Sequence, residues 1–161
     1  MKYITIDIGG TSIKHGIIQD NLQLITTGET ETQAQKGGSH IVQTILTLIQ
    51  NYRKQHTISG ICISTAGMVD VKQGMIVYAA PLIPNYTGTA WKLIIQQQTG
   101  LPCEVENDVN CAGLSEYHMG AARGAASSLC LTIGTGIGGC FIVNGTVLRG
   151  QSYSACEIGH L

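Results

Sequence analysis

The sequence predicts an α/β fold with a mixed β-sheet flanked by helices. Three observations carry that expectation. Residues 2–65 read as strand, strand, strand, helix, strand. The fourth of those strands is a continuous apolar run rather than an alternating one. A unit made of a strand, a glycine turn and a strand then recurs in the last third of the chain.

Residues 2–8 (KYITIDI), 13–19 (IKHGIIQ) and 22–30 (LQLITTGET) predict three consecutive strands, joined by GGTS and by a turn at Asp20-Asn21. Ser39 is the expected N-cap of a helix in which Ile41, Val42, Ile45, Leu48, Ile49 and Tyr52 recur at helical spacing on one face. ISGICIST, residues 58–65, reads as a strand covered on both faces. A second helix is expected from Thr89, its N-cap, to Gly100, its stop; then come a short strand CEVE and a third helix starting near Asn107 or Asp108. After MGAARGAAS, strands resume as SLCLTIG, GGCFIVNG and TVLRG, with Asn144-Gly145 as a type I′ hairpin turn. A boundary near residues 119–126 divides the chain into a domain at 1–120 and the beginning of a second at 121–161. ITIDIGGTSIKHGII and LCLTIGTGIGGCFIV repeat one another coarsely, and a duplication would set two glycine turns face to face across a cleft.

At 161 residues the chain can bury a real core. Nine basic and ten acidic residues give a net charge of −1, and no basic run exceeds Arg53-Lys54, so neither a nucleic-acid nor a membrane surface is expected. The six cysteines lack a C-x-x-C pair and several lie in apolar runs; they read as reduced, buried small hydrophobes of a cytoplasmic protein. MKYITIDIGG enters a strand pattern directly, with no signal-peptide features, and no apolar run is long enough to span a bilayer.

DIGGT and IGTGIGG have the composition required where backbone approaches phosphate, because glycine lacks a Cβ and its N–H groups can converge on an anion. Each is followed by a strand, which excludes both a Walker A loop and a dinucleotide-binding turn. Asp7, beside the first turn, suits Mg²⁺ as a hard oxygen ligand. Asp108 stands where a strand ends and a helix begins; the residues around it allow either a helix cap or a ligand-facing carboxylate. Asn107 and Asn110 beside it can both donate and accept, which suits a polyhydroxylated ligand. Glu157 and His160, three apart, share a face if their segment turns helically. His15, His40, His56 and His118 sit in no motif and read as solvated, while Trp91 and Met119 read as packing residues.

With those pieces in order, the chain resembles the ROK family of sugar kinases, within the actin-like ATPase superfamily that includes hexokinases. DIGGTSIK is similar to the family's first phosphate motif, GICISTAGMVD to the strand and glycine turn beside the sugar, and PNYTGTAW to a sugar-side loop. ENDVNCAGLSEY matches the catalytic helix start, IGTGIGG the second phosphate motif, and EIGH the sugar-binding signature. The resemblance spans residues 1–161 and about the first half of a typical member. It implies an actin-like ATPase (ribonuclease H-like) domain followed by the start of a second, similar domain.

The resemblance also implies roles. Asp108 would be the general base for a sugar hydroxyl attacking the γ-phosphate of ATP. Asn107, Glu157 and His160, with Gly67 and Asn85, would hold the sugar. Gly9, Gly10, Thr11, Gly134, Thr135, Gly136 and Gly138 would line the phosphates, and Asp7 would serve Mg²⁺. Family members often have proline where this chain has Ala66, a difference bearing on sugar preference. In zinc-binding members the histidine matching His160 also holds a structural Zn²⁺, whose other ligands would lie outside these residues. The implied acceptor is glucose, fructose, N-acetylmannosamine or a β-glucoside, in a cytoplasmic enzyme that is a homodimer when full length. The isolated chain is expected to be an N-terminal portion with little activity. A sugar-binding repressor of the same family is the alternative, but with the first phosphate strand starting at Lys2 a DNA-binding head is not expected; a non-catalytic sugar-binding member would not need both phosphate turns.

Overall fold

The computed structural model describes residues 1–134 and 136–160, the side chain of His160 excepted; Thr135, one of the expected phosphate-lining residues, and Leu161 lie outside the described residues. In chain order the elements are β1 (Lys2–Ile8), β2 (Ser12–Gln19), β3 (Leu24–Glu31), α1 (Gly38–Gln55), β4 (Gly60–Thr65), β5 (Met68–Asp70), β6 (Met75–Tyr78) and α2 (Trp91–Thr99). They continue with β7 (Cys103–Asn107), α3 (Asp108–Met119), β8 (Ser127–Ile133), β9 (Ile137–Val143) and β10 (Thr146–Val147). Packing divides the chain into two compact units, Met1–Glu106 and Asn107–Leu161. The composition shift that suggested a domain boundary lies further along, at residues 119–126; α3 packs with β8 and β9, so it goes with the second unit.

The first unit carries a five-stranded sheet in the order β3-β2-β1-β4-β7. β1 pairs antiparallel with β2 and parallel with β4, so the sheet is mixed, as expected. Period-2 alternation puts Ile4, Ile6 and Ile8 of β1 on one face, where they are buried in one cluster with Ile41, Ile45 and Ile49 of α1 and Trp91 and Ile95 of α2. Each such side chain contributes roughly 1.5–3 kcal/mol on leaving water, which makes this face the main source of the unit's stability.

β4 departs from the expectation of burial on both faces. Ile61 and Ile63 join the core, but Cys62 is exposed and Ser64 only half-buried. Their register partners on β1 are Thr5 and Asp7, so this side of the sheet carries small and polar groups. The cysteines are likewise only partly as expected. Cys103 and Cys140 are buried, Cys111, Cys130 and Cys156 half-buried, and Cys62 exposed; all are free thiols. Burial pushes the Cys103 thiol up to about 12.

Both expected side-chain N-caps are displaced. α1 starts after Gly37, not at Ser39, because the Gly38 N–H is taken by the Pro84 carbonyl at 2.9 Å from a distant loop. α2 starts after Ala90, since the Thr89 hydroxyl turns back to the Tyr86 carbonyl at 2.6 Å. Its stop is at Gly100, in the left-handed region as a C-terminal glycine should be. The β5–β6 hairpin was not anticipated. It turns on Asp70, whose Oδ1 accepts the Lys72 and Gln73 N–H groups at 2.9 and 3.1 Å. His15 is not simply solvated: it is half-buried, its Nδ1 2.6 Å from the Tyr52 hydroxyl of α1.

The second unit pairs α3 with a three-stranded meander in the order β10-β9-β8. Cys140, Ile142 and Val147 form its core with Val109, Leu114, Tyr117 and Cys130. A Cβ on Gly113 of α3 would lie 2.5 Å from the Cys140 sulfur, so only glycine lets helix and strand approach this closely. Asn144 and Gly145 both have positive φ, 48° and 77°, as the expected I′ turn requires. No helix among the described residues is long and apolar enough to cross a membrane.

Candidate active-site residues

In the first unit, Gly9, Gly10 and Thr11 join β1 to β2. The Gly9 N–H closes the turn on the Ser12 carbonyl at 3.0 Å. Thr32, fully buried, braces it from within: its N–H donates to the Thr11 carbonyl at 2.9 Å and its hydroxyl to the Gly9 carbonyl at 2.6 Å. No cis peptide occurs among the described residues, and a trans peptide points its N–H opposite to its carbonyl. Tying the Gly9 carbonyl to Thr32 therefore aims the Gly10 N–H away from the core. A Cβ on Gly10 would meet nothing within 4 Å, and its φ is not positive, so packing and turn geometry within the chain leave this glycine unexplained. Space beside an outward-aimed N–H is what an approaching anion needs.

Asp7 is half-buried near the end of β1. Its Oδ1 accepts the Ser64 hydroxyl at 2.7 Å, and its cross-strand partner on β2 is Lys14. Ser64 has no motif of its own, so sequence reasoning missed it. The available signal is positional: Asp7 and Ser64 are each the next-to-last residue of adjacent parallel strands, and only the register brings them level. A hard carboxylate with one oxygen fixed by a hydroxyl fits a Mg²⁺ ion or its water. Thr32 was missed for the same reason, being distant in sequence from the turn it braces.

Gly67 and Asn85 stand on two loops of this unit. Gly67 has φ 99°, and a Cβ there would lie 2.6 Å from the Tyr78 carbonyl oxygen, so its identity is set by backbone geometry. Asn85 is exposed with φ 54°, a left-handed conformation asparagine tolerates.

In the second unit, the alternatives open at Asp108 separate. Asn107 is the N-cap of α3: its Oδ1 accepts the Val109 and Asn110 N–H groups at 2.9 and 3.1 Å. Its amide Nδ2 donates to Asp108 Oδ1 at 2.9 Å, an oxygen that also accepts the Val109 N–H at 2.9 Å. The cap thus does not depend on Asp108, and Asn107 holds one oxygen of that carboxylate. Asp108 is half-buried in the first turn of α3.

Gly134 and Gly136 flank the second turn, between β8 and β9. As at Gly10, a Cβ on either would meet nothing within 4 Å. Gly138 differs, since a Cβ there would strike Val109 Cγ2 at 2.5 Å; helix packing alone requires it. Glu157 is half-buried, just ahead of a 3-10 turn at Ile158–His160. Among the described residues no three His, Cys, Asp or Glu side chains converge as metal ligands.

The family model described as "ROK family" matches residues 3–161. An uncharacterized protein of Clostridium perfringens (strain 13 / Type A) is 53% identical over 99% of this chain and 54% of its own length. A beta-glucoside kinase of Listeria innocua is 36% identical over 100% of this chain and 53% of its own. The crystal structure of a ROK family glucokinase from Streptomyces griseus, in complex with glucose and AMPPNP, superimposes with a TM-score of 0.88 at 33% identity, covering 100% of this chain and 50% of that one. The chain spans about half the length of the curated relatives it matches. Its helices and mixed sheet are those of the actin-like ATPase fold. On this match across nearly its whole length, the chain belongs to the ROK family.

Proposed function

We propose that the protein is an ATP-dependent sugar kinase that transfers the γ-phosphate of ATP to a hydroxyl of a hexose or related sugar. Glucose, fructose, N-acetylmannosamine and β-glucosides are the acceptor types considered. The observation that carries the reading is the junction of β7 and α3, where Asn107 supplies the cap and its amide holds one oxygen of the Asp108 carboxylate in place. The sugar-kinase names of the relatives support it.

In this reading Asp108 accepts the proton of the attacking hydroxyl. Phosphoryl transfer depends mainly on positioning and charge neutralisation, so a carboxylate of ordinary pKa, about 4, is sufficient to orient the hydroxyl and take its proton late. Asn107 aims the carboxylate as well as standing beside the sugar, with Glu157, His160, Gly67 and Asn85 as further sugar contacts. Gly9, Gly10, Thr11, Gly134, Thr135, Gly136 and Gly138 line the phosphates. Magnesium, bound with the nucleotide, would neutralise phosphate charge, and Asp7 is the residue that would hold it, its orientation set by Ser64. A structural Zn²⁺ on His160 would draw its remaining ligands from outside the described residues, among which no three metal-ligating side chains converge. A cytoplasmic homodimer is the expected assembly, which sedimentation of the purified gene product would check.

The test is ATP consumption by the complete gene product across a panel of sugars, with Asp108→Asn beside the wild type. Turnover on at least one sugar, reduced by about 10²-fold or more in the variant, is the expected result. A variant with full turnover would remove Asp108 from the role of base, and a panel with no active sugar would remove the kinase reading itself.

A further inference from the structure

Beneath the two loops that carry Gly67 and Asn85 lies a polar cluster that joins Thr65 of GICISTAGMVD to Tyr86 and Trp91 of PNYTGTAW. Thr65, Tyr86 and Trp91 are 0%, 1% and 0% exposed. Trp91 Nε1 lies 3.2 Å from the Tyr86 hydroxyl, which lies 2.6 Å from Thr65 Oγ1; that oxygen donates to the Ala66 carbonyl at 3.2 Å. Indole N–H only donates, so the Tyr86 hydroxyl accepts from Trp91; when the Thr65 hydroxyl gives its single proton to Ala66, the proton between Tyr86 and Thr65 is the tyrosine's. The relay runs from Trp91 through Tyr86 and Thr65 to the carbonyl of the Ala66–Gly67 peptide.

Two members of this relay meet the loops: Tyr86 one and Ala66 the other. Tyr86 follows Asn85 directly, and the loop around it is laid against β6 by the Gly88 N–H to the Ile76 carbonyl, at 2.8 Å, and the Ala79 N–H to Thr87 Oγ1, at 3.1 Å. Gly67 lies under the end of the same strand, against the Tyr78 carbonyl. A hydroxyl at position 86 therefore ties the two loops together at a buried point. Burial makes such a relay rigid when satisfied, and no buried side-chain nitrogen or oxygen is left without a partner among the described residues.

We propose that Tyr86 is a positioning residue for sugar binding, which sets the Ala66–Gly67 peptide relative to Asn85 through Thr65. The proposal rests on the sugar-kinase reading above and adds to it a determinant of acceptor affinity that touches no substrate.

Its test uses the complete gene product, with KM for sugar and for ATP, kcat and Tm measured for the wild type, Tyr86→Phe, Thr65→Val and Thr65→Ser. Tyr86→Phe and Thr65→Val should each raise the sugar KM about ten-fold, with kcat and the KM for ATP within about two-fold of wild type. Thr65→Ser keeps the hydroxyl and should restore the sugar KM. An unchanged sugar KM in Tyr86→Phe, or a serine variant as impaired as the valine one, overturns the proposal. So does a fall in Tm or kcat alone, which is what a merely structural role predicts. Should Tyr86→Phe fail to fold, the contrast between Thr65→Val and Thr65→Ser decides. A wild type that phosphorylates no sugar removes the kinase reading and this proposal with it; a wild type that does so, with unshifted variants, removes this proposal alone.

Discussion

Replacing Asn107 separates the two tasks its amide performs. In Asn107→Ala the cap is lost, but not all of it. The Val109 N–H keeps the Asp108 Oδ1 acceptor at 2.9 Å, while the Asn110 N–H loses Asn107 Oδ1, 3.1 Å away. N-cap removal costs about 0.5–2 kcal/mol, and a cap lost in part at a half-buried helix start places this case near 1 kcal/mol. For a protein of this size or larger that is a fall in Tm of about 3 °C. Asn107→Ser restores an N-cap oxygen of equal preference but cannot reproduce the amide donation to Asp108 Oδ1. Thermal unfolding should therefore rank asparagine and serine together above alanine, while ATP turnover should rank asparagine above both. Serine matching asparagine in turnover would show that the hold on Asp108 is immaterial; alanine matching asparagine in Tm would refute the capping argument.

Two further outcomes follow from the geometry. Ser64→Ala removes the hydroxyl that fixes Asp7 Oδ1 at 2.7 Å; both groups are half-buried, so the loss is discounted to about 1 kcal/mol. The Mg²⁺ concentration for half-maximal nucleotide binding, read by calorimetry, should rise about five-fold, and an unchanged value would detach Ser64 from the metal. Burial against α1 holds the His15 pKa below its ordinary 6.5, so the unfolded chain takes up this proton before the folded one. As pH falls below 6.5, stability should decline, levelling off once the folded pKa is passed. Urea midpoints of His15→Gln should decline less over that window, and parallel curves for the two proteins would place the acid sensitivity elsewhere.

Local pattern was sufficient wherever one short-range rule dominates. The alternation of β1, the apolar spacing of α1, the stop at Gly100 and the Asn144-Gly145 turn are each decided by side-chain periodicity or by φ, and each could be read directly. Motif order carried the family. Hidden from that reading were features closed by groups far apart in the chain: the α1 start, capped by Pro84, and the bracing of Gly9 and Thr11 by Thr32. Cys62 was misjudged because composition marks an apolar run but not which of its faces finds a partner.

The same division runs through the candidate site. Sequence by itself singled out the candidate groups: the aspartates at 7 and 108, the glycines of two turns, and the Glu157 and His160 pair. Only tertiary structure decided how those groups are held. Ser64 meets Asp7 through strand register, and Tyr86 meets Thr65 across 21 residues of chain. Even the adjacent Asn107 reveals its role only once α3 forms and presents N–H groups to cap. The physical reason is that a hydrogen bond is satisfied by geometry at 2.6 to 3.1 Å, whatever the separation along the chain, and a one-dimensional pattern records only the separation.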